Sequence, residues 1–123
     1  MLPADWSTSA AQAFLVIAMA AVDGSFDVQE IDAIRPTLIR LGMSDEDAVA
    51  ATRAALEHYR ITLEEDTLED ALVGCAMQLK EELSKEDLRS LMTSLAATAL
   101  ADAEVHGGEH AFLRTIGTIW GLA

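Results

Sequence analysis

Two stretches of the chain, 13–22 and 91–101, are apolar almost without interruption, and the segments around them alternate apolar and polar positions with a helical period. Before the first stretch, Ser9-Ala10-Ala11-Gln12 resembles a capping box, which predicts a first helix running to about Val22. A helix apolar nearly all round belongs at the centre of a fold rather than on its surface. Asp27-Val28-Gln29-Glu30 reads as the cap of a second helix that reaches Leu41 and stops at Gly42, with Pro36 expected to kink it. Ser44-Asp45-Glu46-Asp47 opens a third helix, with acids in the first turn where the helix dipole favours them, ending around 58–61. A fourth starts between Thr62 and Asp66 and runs to about Leu83. Ser84-Lys85-Glu86-Asp87 caps a fifth, and a sixth covers about 108–120 with Gly121 at its end. No Gly/Ser/Pro-rich linker separates these pieces, so residues 1–123 are expected to form one all-α bundle of about six helices. Trp6 and Trp120 are expected to pack and hold the termini down.

Composition agrees with an all-helical reading. Hydrophobic residues are 51% of the chain and aromatics only 5%, with Ala and Leu dominant, the residues that lose least freedom in a helix. Charge narrows the function. Twenty-one acids against eight bases give −13, which excludes a nucleic-acid binder, since no basic surface is present to displace counterions from phosphates. The same charge is repelled by anionic membrane surfaces. It suits a cation, a basic protein partner, or simple solubility. The longest apolar run, 13–22, is about half of the roughly 20 residues a membrane span needs, so no direct membrane insertion is expected. The first residues lack the positive region of a secretory signal, which makes the cytoplasm the expected location. Cys75, the only cysteine, lies in the apolar stretch 71–77 and reads as a small core residue.

The chain can be laid on itself in one register. Asp23 then falls on Asp102, Glu30 on Glu109, Arg35 on Arg114 and Gly42 on Gly121. Apolar positions follow: Phe26 with Val105, Ile34 with Leu113, Leu41 with Trp120, Met43 with Leu122. Each copy, about 10–43 and 90–122, is a buried apolar helix, an acidic turn, and a second helix with an early glutamate and a glycine close. An internal pseudo-twofold is the expected consequence.

The first acidic turn is Asp23-Gly24-Ser25-Phe26-Asp27-Val28-Gln29-Glu30. An Asp-Gly after a small-residue apolar helix, with Glu seven positions past the Asp, resembles the repeated signature of the tellurite-resistance TerB-like family. The resemblance extends over essentially the whole chain and includes the Leu41-Gly42-Met43 close. It implies a two-copy helical fold, an association with resistance to tellurite and related stresses, and paired acidic turns acting as metal sites. Carried onto this chain, the family pattern falls on Asp23, Asp27 and Glu30 in the first copy and on Asp102 and Glu109 in the second. The second copy departs from it: Ala103 stands in place of the glycine, and His106 where an acid or polar cap would be. Glu104 and His106 complete the candidate ligand set of that turn.

Physical chemistry supplies a separate argument for a cation. Asp23 and Asp102 are expected at the C-terminal ends of helices, where the dipole disfavours a carboxylate by roughly 0.3–1 kcal/mol. A bound divalent ion would offset that cost. Carboxylate oxygens alone suit Ca²⁺ or Mg²⁺, whereas adding His106 or His110 moves the preference towards Zn²⁺ or Mn²⁺. The alternative needs no metal: Asp27 and Glu30 form a capping box, and Asp23 accepts bonds from the amides of its own turn.

Other motifs lead nowhere. His106-Gly107-Gly108-Glu109-His110 matches the H-x-x-E-H pattern of one zinc-protease class, but two glycines interrupt it and no acid or histidine follows to supply a third ligand. Asp23 to Asp27 resembles the start of an EF-hand, but Glu30 arrives four positions too early for its twelve-residue loop. An acyl carrier needs an Asp-Ser dipeptide, and the chain has none. With no nucleophile–base pair and no phosphate loop, the expected function is a cation-binding or interaction module rather than an enzyme.

Overall fold

The computed structural model describes residues 7–20, 28–100 and 107–122, with side-chain detail for 7–19, 34–96 and 113–122. These residues form six helices and no strand: α1 (Thr8–Ala20), α2 (Val28–Arg40), α3 (Asp45–Glu65), α4 (Leu68–Glu82), α5 (Lys85–Leu100) and α6 (Gly107–Trp120). The first helix is the axis of the arrangement. Every residue from Ala10 to Met19 is buried, and α1 packs against α2, α3, α4 and α5, most extensively against α3. Its all-round apolarity is therefore matched by neighbours on several sides, which is the only way such a helix can shed its water.

Helix α3 meets α1 through small residues. Ala48, Ala51, Ala55, His58 and Thr62 are buried, and their 3–4-residue spacing places them on one face. Further round, α4 contributes Ala71, Cys75, Ala76 and Leu79, α5 contributes Leu88, Leu91 and Leu95, and α6 contributes Ile116 and Trp120. Cys75 is fully buried, as its apolar setting predicts. Trp120 donates its indole Nε1–H to the carbonyl of Ala76 at 2.8 Å, joining α6 to α4 inside the core. Its expected counterpart Trp6 lies outside the described residues.

Of the expected caps, those of α3 and α5 are observed, that of α1 is corrected, and Asp27 before α2 lies outside the described residues. Ser44 and Ser84 each accept, through Oγ, the amide three residues on (Asp47 and Asp87, both 3.1 Å). At α1 the capping hydroxyl is Ser7, which accepts from the amide of Ala10 at 3.0 Å, rather than Ser9 in a box with Gln12. Pro36 lies within α2, which runs on to Arg40.

Helix α3 is longer than its expected end at 58–61. Thr62, Leu63, Glu64 and Glu65 prolong it, and Thr62 satisfies its own hydroxyl by donating to the carbonyl of Tyr59 at 2.7 Å. The stop is Asp66, held left-handed at φ 56° and ψ 42°, with its amide and that of Thr67 both directed at the carbonyl of Thr62. A side chain with a Cβ is strained there. Asp66→Gly is accordingly expected to stabilise the protein by about 1 kcal/mol, the lower end of the left-handed penalty. The measurement is a urea midpoint that rises at constant slope. Asp66→Asn serves as control, and an equal rise in both would assign the gain to charge rather than backbone.

Gly42 and Gly121 close α2 and α6 in the same way. Both have positive φ, 104° and 69°, where glycine carries no Cβ penalty. After α2, the Gly42 amide bonds the carbonyl of Ile39 (3.0 Å) and the Met43 amide that of Leu38 (3.2 Å). After α6, the Gly121 amide bonds Thr118 (3.2 Å) and the Leu122 amide bonds Gly117 (2.8 Å). Each is a complete Schellman motif, and the two sets of partners match in the register that lays Gly42 on Gly121.

Candidate functional site

The candidate ligands Asp23, Asp27, Asp102, Glu104 and His106 lie outside the described residues. Glu30 and Glu109 are each the third residue of a helix, α2 and α6 respectively, and their side chains also fall outside the description. What the structure places is the set of helices from which the two acidic segments depart. In the register that lays Asp23 on Asp102, α2 covers 107–119, almost the span of α6, and α1 covers 87–99, within α5. The likeness is one of helix spans and caps. Surroundings differ: α1 packs against four helices, while Ile34 is buried where Leu113 is half-buried.

The N-terminal ends of α1 and α5 share one end of the molecule. Thr8, the first residue of α1, donates its hydroxyl to Glu82 Oε1 at 2.9 Å, and Glu82 closes α4 just before α5 starts at Lys85. Lys85 in turn reaches Gly121, its Nζ lying 3.6 Å from where a β-carbon on that glycine would be, so α6 ends beside the start of α5. Helices α1 and α5 also pack on each other. Their C-terminal residues, Ala20 and Leu100, are the points from which the acidic segments leave.

Charge is unevenly distributed along the chain. All eight Lys and Arg lie between Arg35 and Arg114, and none falls in 20–33 or 97–112. Those two stretches carry Asp23, Asp27, Glu30, Asp32, Asp102, Glu104 and Glu109, more than half of the net −13. Among the described residues, two of the arginines form ion pairs. Arg35 pairs with Asp45 at 2.9 Å, tying α2 to the start of α3, and Arg60 pairs with Glu57 (2.7 Å) and Glu64 (3.1 Å) along α3. These exposed pairs add little stability. Glu57 and Glu64 hold the Arg60 guanidinium above its ordinary pKa. Among the described residues, no three His, Cys, Asp or Glu side chains come together as a metal-holding group, and no helix is long and apolar enough to cross a membrane.

One titratable group escapes a reading by motif. His58 is 7% exposed on the α1-facing side of α3, its ring 5.3 Å from that of Phe14 and tilted by 50°. The signal for it is the spacing 48, 51, 55, 58, 62, which puts His58 in line with the small core residues of α3. Burial lowers its pKa from 6.5. The native state then binds fewer protons than the unfolded chain just below pH 6.5, so stability falls as pH drops through that value, and the loss is complete below the folded pKa. Melting temperatures of the wild type and His58→Phe between pH 7.5 and 5.5 check this. The wild type should decline more steeply, whereas parallel curves would show that His58 titrates alike in both states.

Searches of curated proteins and of solved structures returned no significant match. A match does come from a family model, that of tellurite resistance protein TerB, and it runs over residues 9–123, from the first turn of α1 past the Schellman close of α6. With six helices, no strand among the described residues and nearly its full length matched, the chain belongs to the TerB family.

Proposed function

We propose that this TerB-family chain is a non-enzymatic cytoplasmic stress module that binds a divalent cation through its two acidic turns acting as one site. The observation that carries this reading is the common start of α1 and α5. Two helices that begin together and pack on each other support a reading in which their C-terminal ends, Ala20 and Leu100, lie at one end of the molecule. From those ends leave the two segments that hold seven carboxylates and no Lys or Arg. The identical Schellman closes of α2 and α6 support treating the turns as equivalent halves of a pseudo-twofold pair. The donor chemistry fits such an ion: carboxylates of Asp23, Asp27 and Glu30, with Asp102, Glu104 and Glu109, are hard oxygen ligands of the Ca²⁺ or Mg²⁺ type. His106 would draw the preference towards Zn²⁺ or Mn²⁺.

The test is a thermal-shift titration with Ca²⁺, Mg²⁺, Zn²⁺ and Mn²⁺ on the wild type, Asp23→Asn and Asp102→Asn. An ion at a hundred times its Kd stabilises the fold by about 2.7 kcal/mol. A shared site requires either single change to remove most of that gain. If each removes only half, the turns bind separately. If no ion moves the wild type at millimolar concentration, the turns are caps and the metal reading is wrong.

The same charge imbalance favours a second reading, an adaptor that docks a basic protein partner with no functional metal. Such binding should survive EDTA and weaken with salt, because exposed charges are screened beyond about 10 Å at 0.1 M. Cation-dependent docking would give the opposite pattern.

A further inference from the structure

We draw no further inference here: the strongest candidate, the apolar face of α3 on which Val49 and Leu63 are exposed with half-buried Leu56 between them, carries nothing because nothing in the structure shows what covers it.

Discussion

Trp120→Ala is expected to cost about 3–5 kcal/mol, the range for deleting a large buried aromatic. The indole is 2% exposed and is the largest wholly buried side chain among the described residues. Its loss would open a cavity where α6 meets α4 and would remove the Nε1–H bond to Ala76. Small domains are stable by only about 5–15 kcal/mol, so this single change consumes a large share of the margin. Trp120→Phe divides the effect. It keeps most of the ring's burial and loses the hydrogen bond, for about 1 kcal/mol. The bond is worth little more because the Ala76 carbonyl lies inside α4 and keeps the helix's own amide as partner. Urea denaturation followed by circular dichroism at 222 nm reads both variants without relying on tryptophan emission. A Trp120→Ala midpoint close to wild type would mean that α6 is not anchored through this residue.

The second large effect is at the α1–α3 contact. Phe14 is fully buried at the middle of α1, with His58 5.3 Å and Tyr59 6.2 Å away, ring centre to ring centre. Phe14→Ala is expected to destabilise by about 3–5 kcal/mol, since it removes volume from the most enclosed helix. The alanines of α3 cannot expand to fill the space, and the rings of His58 and Tyr59 lose their contact with Phe14. Ring pairs of this kind are worth about 0.5–1.5 kcal/mol beyond burial. A double-mutant cycle of Phe14→Ala with His58→Ala should therefore show coupling of that size. Strict additivity would leave the tilted contact as mere proximity.

Much of the helical plan is legible because its signals are local. An unbroken apolar run names α1 as the axis, Ser44 and Ser84 name two helix starts, and Gly42 and Gly121 name two stops. The end of α3 is not legible for an equally local reason. Glu64, Glu65 and Asp66 look like the acidic first turn of a new helix, yet they terminate an old one, against the dipole preference. The true stop is a left-handed aspartate, which lacks the glycine that usually announces one. His58 is hidden in another way: a histidine has no fixed preference for core or surface, so only its register with Ala48, Ala51 and Ala55 betrays its burial. For the candidate site, the sequence names acids and their spacing, and the structure adds where α1 and α5 begin together. A meeting of two turns about eighty residues apart would be a tertiary matter that no local pattern encodes.

The position of α1 has a kinetic consequence. It precedes in the chain every helix that covers it, and its enclosure is finished only when α5 supplies Leu88, Leu91 and Leu95. Synthesis at about 5–20 residues per second leaves roughly 4–15 s between the making of Ala20 and that of Leu95. A 13-residue segment is too short to hold itself helical in water through that interval. On the ribosome, α1 is therefore made before the helices that enclose it and completed only with α5, an apolar stretch of nascent chain whose folding waits for α5.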